Sequence, residues 1–153
     1  MRVLVCGGRD YSDRRKTVEV LDSIHSIVPI TCVIHGAAKG ADTFGQMYAS
    51  YTEGVGEEAY PAQWKDFSHP WSKRKTNKWG DYNVMAGPIR NQQMIDEGKP
   101  DLVVAFGGGS GTWDMIKRAK DHQIVVMEID RKKENQDAVL CWLKSVWSRY
   151  DQK

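Results

Sequence analysis

The segment Gly107-Gly108-Gly109-Ser110-Gly111-Thr112 carries the clearest chemical signature in the chain. It follows Asp101–Phe106 (DLVVAF), a continuous apolar run suited to a buried parallel strand. It leads into Thr112–His122, where Met115, Ile116 and Ala119 recur at helical spacing. Glycines therefore join the carboxyl end of a strand to the amino end of a helix. Unpaired N–H groups and the helix dipole attract an anion there, and glycine lets the backbone approach it closely. Phosphate is the expected anion, and a nucleotide-like small molecule the expected ligand.

Two further turns repeat the arrangement. Val3–Cys6 runs into Gly7-Gly8-Arg9-Asp10, and Cys32–His35 runs into Gly36-Ala37-Ala38-Lys39-Gly40-Ala41-Asp42. Strand ends that all run into small residues describe one edge of an open α/β sheet, where ligands bind beyond the carboxyl ends. Candidate ligand-binding residues are Gly7, Gly8, Arg9, Asp10, Gly36, Asp42, Gly108, Gly109, Ser110, Gly111 and Thr112. The competing reading is that the glycines merely close tight turns.

Other motifs fail on spacing. No Lys follows the Gly107 turn in the Walker position. Gly7-Gly8-Arg9-Asp10 lacks the dinucleotide G-x-G-x-x-G pattern, and the second strand ends without a ribose-binding acid. Thr112 stands where a G-x-S-x-G elbow needs its last Gly. His25, His35, His69 and His122 are scattered, so no metal site and no cofactor is expected.

The elements that must hold these turns alternate. Strands are expected at Arg2–Cys6, Thr31–His35, Glu57–Tyr60, Asp101–Phe106 and Ile124–Glu128. The helix over Asp13–Val28 carries Val18, Leu21, Ile24 and Val28, with Ser12 or Asp13 as N-cap. Ala41–Thr52 carries Phe44, Met47, Tyr48 and Tyr51. Pro88–Glu97 begins on a proline and ends at Gly98-Lys99-Pro100. The last helix, about Asn135–Trp147, aligns Val139, Trp142, Leu143 and Val146. The pattern predicts an α/β fold, a Rossmann-like domain over residues 1–153 with a mostly parallel sheet of about five strands and helices on both faces.

Composition sets bounds. With 153 residues, 41% apolar and 27% charged, the chain reads as one globular domain. A net charge of +2 gives no global case for nucleic acid or membrane binding. No apolar stretch reaches membrane-spanning length, and Met1-Arg2 runs straight into a strand without a signal peptide. Cys6, Cys32 and Cys141 read as reduced core thiols of a cytoplasmic protein. The six tryptophans are many for this length, and a homodimer is expected from them.

Residues 64–84 (WKDFSHPWSKRKTNKWGDYNV) break the pattern as a long insertion without a clear period. Trp64, Trp71, Trp79 and Tyr82 are interleaved with Lys73, Arg74, Lys75 and Lys78. Loops of this length are usually functional or disordered. A lid over the pocket or a packed interface is favoured here over a single-stranded nucleic-acid grip.

Four motifs in order, GGRDYSD at Gly7–Asp13, HGAAKGAD at His35–Asp42, AGPIRNQQM at Ala86–Met94 and GGGSGTWDM at Gly107–Met115, resemble the YspA-type branch of the SLOG superfamily. That superfamily also holds the Lonely Guy phosphoribohydrolases, the DprA DNA-processing proteins and sensor domains of antiphage systems. The resemblance spans Met1 to Glu128 and implies a Rossmann-like fold with a nucleotide pocket. Lonely Guy enzymes pair an arginine on the helix before the Gly-rich strand with a glutamate after the glycine turn. The resemblance puts Arg90, beside Asn91, at the arginine position and makes both candidate site residues. Met115 stands where the glutamate belongs, and Asp114 is one residue earlier.

Release of a base builds positive charge on the sugar, which a carboxylate can stabilise. Asp10, Asp42 and Asp114 are the carboxylates near the glycine turns. Each has a plainer role, as a helix-dipole partner for Asp42 and Asp114 or an Asx turn with Ser12 for Asp10. Asp114 and Arg90 are the candidate catalytic pair, with Arg90 clamping phosphate through its planar fork. The missing glutamate tilts the reading toward a sensor or sequestering protein for a nucleotide. An N-glycosidase acting on a nucleoside monophosphate is the alternative, and a DprA-like nucleic-acid binder the third.

Overall fold

The computed structural model describes residues 1–129 and 133–150. The elements run β1 (Arg2–Gly7), α1 (Arg14–Ile27), β2 (Cys32–His35), α2 (Ala41–Tyr51), β3 (Gly56–Ala59), β4 (Arg74–Asn77), β5 (Gly80–Asn83), α3 (Ala86–Asp96), β6 (Leu102–Phe106), α4 (Ser110–Asp121), β7 (Val125–Ile129) and α5 (Lys133–Tyr150). Five strands form one parallel sheet in the order β3-β2-β1-β6-β7, a Rossmann-like α/β arrangement. These are the strands expected from the sequence, with ends displaced by about a residue.

The apolar strands alternate between two buried faces. Val3, Val5, Val33, Val104 and Phe106 meet Val20, Leu21 and Ile24 of α1, Tyr48 of α2 and Leu143 of α5. Leu4, Cys6, Ile34, Val103 and Ala105 meet Met94 and Ile95 of α3 and Met115, Ile116 and Ala119 of α4. Leu21 is fully buried, so Leu21→Ala would open a cavity worth about 2–5 kcal/mol.

Helix α1 starts as expected, with the Asp13 carboxylate accepting from Lys16 N at 2.9 Å. Its buried stripe is Thr17, Val20, Leu21 and Ile24, while Val18 is exposed. Thr17 can take an interior place because its hydroxyl donates to the Asp13 carbonyl at 3.1 Å. On α2 the stripe is also rotated from expectation. Small residues face the sheet, and a Cβ on Gly45 would stand 3.0 Å from Val5 Cβ. That close approach turns Tyr51 out to 76% exposure, while Tyr48 stays buried and donates to Asp22 Oδ1 at 2.8 Å.

Helix α3 begins at Ala86, so Pro88 lies inside its first turn rather than opening it. A proline is tolerated there because first-turn N–H groups lack helical partners. At the other end the left-handed residue is Lys99, at φ 47°, not Gly98. Gly98 is needed because its backbone presses on the Met94 carbonyl and on Ile34. Of the cysteines, Cys6 and Cys32 are buried, but Cys141 is exposed on α5 and is not a core thiol.

The insertion is not the unstructured loop its composition suggests. β4 and β5 form an antiparallel hairpin across Lys78-Trp79, with Asn77 opposite Gly80. Gly80 supplies φ 106°, and Asn77 Oδ1 accepts from Trp79 N at 2.9 Å. Asn83 is the buried peg, 1% exposed. Its Oδ1 accepts from Lys73 N and Met85 N, and its Nδ2 donates to the Asp66 carbonyl and Ser72 Oγ, all at 3.0 Å. One buried amide thus holds both arms of the insertion against the start of α3.

Candidate ligand-binding site

The strand order reverses between β1 and β6, and the crevice beyond their carboxyl ends is where open α/β sheets take ligands. The turns after these two strands touch. Gly8 N donates to the Phe106 carbonyl at 3.3 Å, and a Cβ on Gly8 would stand 3.2 Å from Gly108 Cα. Gly108, at φ 131°, packs against Gly8 N and Thr112 Oγ1, and Gly40, at φ 79°, packs against the Gly8 carbonyl. A side chain on Gly7 would collide with the Phe106 carbonyl and Ala41. The fold itself therefore demands glycine at 7, 40 and 108 and leaves little room for a side chain at 8, and Gly107 adds φ 49°.

Gly109 and Gly111 differ. A Cβ at either position would meet no atom within 4 Å. Both line a cavity of about 650 Å3 together with Gly7, Gly8, Arg9, Asp10, Asp42, Arg90, Asn91, Ser110, Thr112 and Asp114. That volume lies in the range of small-molecule sites. Helix α4 opens onto this cavity with Gly109 as N-cap and no side-chain cap, whereas α1, remote from it, is capped by Asp13. The first-turn N–H groups of α4 are thus left for a ligand. Two expected residues fall outside the main cavity. Gly36 lines an adjoining space of about 400 Å3 with Lys39, and Gly108 serves as the joint between turns.

Arg90 reaches across from α3 to the turn after β2. Its Nη1 donates to the Gly36 carbonyl at 2.5 Å and the Tyr60 carbonyl at 3.3 Å, and its Nε to Asn91 Oδ1 at 3.2 Å. Nη2 has no hydrogen-bond partner among the described residues. Burial pulls this guanidinium below its ordinary pKa, with Asp42 opposing the shift. Asp42 lies on the other side of Gly36, 6% exposed. Its Oδ2 accepts from Gly36 N at 3.0 Å and Ala38 N at 3.3 Å. Burial raises its carboxyl above the ordinary 3.8, against the pull of those amides and of Arg90.

His35 is buried beneath the same turn. Its Nδ1 accepts from Ala37 N at 3.0 Å, which leaves the proton on Nε2 to donate to Glu57 at 2.8 Å. That pairing braces Ala37, which holds φ 54°.

Asp114 faces the cavity but is committed. Its Oδ2 accepts from Arg118 Nε at 2.8 Å and from Asn91 Nδ2 at 3.0 Å. Met115, at the family glutamate position, is 1% exposed and belongs to the core.

Several residues that line the cavity were not among the candidate site residues, Trp64 and Cys6 among them. Trp64 borders both spaces, with the Arg9 guanidinium 5.9 Å from its ring centre. Its carbonyl accepts from Asn83 N at 2.7 Å, so the hairpin fixes its place. Trp71 and Trp79, the more conspicuous tryptophans of the insertion, line neither space. Cys6 also borders the cavity, and burial pushes its thiol well up, so it stands protonated.

A parallel sheet with touching glycine turns at its reversal point defines a Rossmann-like α/β protein with a crevice at that point. Comparison with known sequences sharpens this. The family model for the YspA, cpYpsA-related SLOG family matches residues 1–67. The Gene 61 protein of Mycobacterium phage D29 is 30% identical over 138 residues, which cover 86% of this chain and 98% of that protein. The chain belongs to the YspA, cpYpsA-related SLOG family. No described helix is long and apolar enough to cross a membrane.

Proposed function

We propose that this protein binds a nucleotide or nucleotide-derived ligand, with phosphate at Gly109–Thr112, and acts as a sensor or sequestering protein. The observation that carries the reading is the pair Gly109 and Gly111. Neither glycine is required by packing, yet both line the cavity at an uncapped helix start. At Gly111, inside the helix, glycine without a structural need forgoes up to about 1 kcal/mol relative to alanine; Gly109 is the N-cap, where glycine carries no such penalty. An approaching phosphate supplies the need. Arg90 and Arg9 add positive charge to the same space, and membership of the SLOG family is consistent with nucleotide-related binding.

Binding without efficient turnover is favoured over N-glycosidase action. Arg118 neutralises the Asp114 carboxylate, and the family glutamate is a core methionine. Calorimetric titration with ribo- and deoxyribonucleotides, each paired with its unphosphorylated nucleoside, tests the reading. Binding that requires the phosphate is expected, with no free base released on chromatography. Equal affinity for nucleotide and nucleoside would overturn the phosphate site.

A further inference from the structure

Asp42 has a property that no other carboxylate at the cavity shares. It is 6% exposed, and both amide donors that reach it, Gly36 N and Ala38 N, use Oδ2. Oδ1 has no hydrogen-bond partner among the described residues, and the side chain borders the cavity. Asp114 spends its charge on Arg118 and Asn91, and Asp10 is exposed to solvent. Oδ1 is not sealed from solvent, so within the cavity it is open to a ligand that brings a hydrogen-bond donor. A phosphate cannot supply it, because two anions would meet. A neutral hydroxyl can.

We propose that Asp42 reads the sugar of the ligand, its Oδ1 accepting a hydrogen bond from a ribose hydroxyl while the phosphate rests on the first turn of α4. This deepens the nucleotide reading and rests on it. Asp42 lies in the first turn of α2 and Gly109–Thr112 in the first turn of α4, and both border the one cavity of about 650 Å3. A single nucleoside phosphate therefore presents its anion to one and its sugar to the other. The selected class is a ribonucleoside phosphate with the relevant hydroxyl intact. A nucleotide deoxygenated at that position lacks the donor.

The test is calorimetric titration of the full chain at pH 8 with the common ribonucleoside 5′-monophosphates and with their 2′-deoxy and 3′-deoxy forms. A hydrogen bond to a charged acceptor corresponds to a factor of about ten or more in affinity. Wild type should therefore lose at least about ten-fold on removal of one of the two hydroxyls. In Asp42→Asn the side-chain carbonyl can keep the Gly36 and Ala38 amides while an NH2 group replaces the free oxygen, and discrimination should shrink to within about three-fold. Deoxy forms that bind wild type as well as the parent overturn the inference alone, whether or not the variant folds. Discrimination that persists in a folded Asp42→Asn, verified by its melting curve, also overturns it. Failure of wild type to bind any nucleotide would overturn the nucleotide reading and this inference with it.

Discussion

Gly111→Ala separates a glycine kept for folding from one kept for a ligand. Gly111 occupies the second position of α4, and a Cβ there meets nothing within 4 Å. In the empty protein the substitution introduces no clash. It removes the backbone freedom that glycine has in the unfolded chain, which is worth about 0.5–1 kcal/mol. For a chain of this length each 1 kcal/mol moves the melting temperature by roughly 2–4 °C, so a rise of about 1–4 °C is expected. Binding should move the opposite way. The new methyl stands where phosphate oxygens must approach the first-turn N–H groups, and each charge-assisted bond lost is worth about 1.5–3 kcal/mol. A nucleotide should therefore bind at least about ten-fold more weakly. The assays are a thermal melt with and without nucleotide and a calorimetric titration. A variant that melts higher and still binds at wild-type affinity would show that the glycine is not held open for a ligand. A variant that melts lower would refute the packing argument behind it.

Arg90→Ala should weaken a nucleoside monophosphate by about ten-fold or more and its nucleoside much less. It should also lower the melting temperature, since the Gly36 carbonyl loses its donor. Equal affinity losses for both ligands would assign Arg90 to structure alone. Trp64→Ala should abolish most of the tryptophan fluorescence change caused by nucleotide, because Trp64 borders the cavity and Trp71 and Trp79 do not. An undiminished change would place the ligand elsewhere. Asn83→Ala removes four hydrogen bonds to a buried side chain and should speed tryptic cleavage at Lys73–Lys75 several-fold in the absence of ligand; an unchanged cleavage rate would mean that the hairpin is held by other contacts. The pH dependence of Asp42 has a definite sign. Its folded carboxyl is raised above 3.8, so its stabilising contribution is complete below that value and is lost as pH rises through the folded value. Asp42→Asn should therefore exceed wild type in ligand-free melting temperature at neutral pH, with the gap closing toward pH 4. A gap that widens on acidification would refute the sign.

The parallel sheet was legible because β1, β2, β6 and β7 are largely buried and read as apolar runs, while the edge strand β3, GEEA, is mostly exposed. The glycine turns were legible because each follows such a run. Helix faces were less so. Tyr51 and Val18 fit a helical stripe, but the stripe that packs uses Gly45, Ala49 and Thr17, whose value lies in close approach or a satisfied hydroxyl. No alternation marks β4 or β5, since every residue of β4 is exposed, and the hairpin rests on one buried amide, Asn83. Composition drew attention to Trp71 and Trp79. The position of Trp64 at the cavity depends on Asn83, nineteen residues later in the chain, a coupling that no local pattern carries. The roles of individual glycines were equally hidden. A run of three looks uniform, yet Gly107 and Gly108 answer to backbone geometry and Gly109 to open space.

That division bears on how the site can work. The turns after β1 and β6 and the start of α2 form a fixed frame, because their backbones lock against one another. The frame costs nothing further when a ligand enters, and such preorganisation favours affinity. Against it stand groups that the protein's own contacts do not fully serve. The first turn of α4 has no side-chain cap, burial shifts Arg90 and Asp42 in directions that disfavour their charges, and Asp42 Oδ1 takes no hydrogen bond from the described residues. Each calls for a different piece of one ligand: an anion at α4, charge on Arg90, a hydroxyl at Asp42. In the proposed arrangement Asp42 is held at a ribose hydroxyl, and glycosidic cleavage would need a further carboxylate facing the anomeric carbon. Asp114 is compensated by Arg118. In the proposed reading one nucleoside phosphate would answer these demands together, and assaying Asp42→Asn for base release as well as for binding separates a sugar-binding carboxylate from a catalytic one.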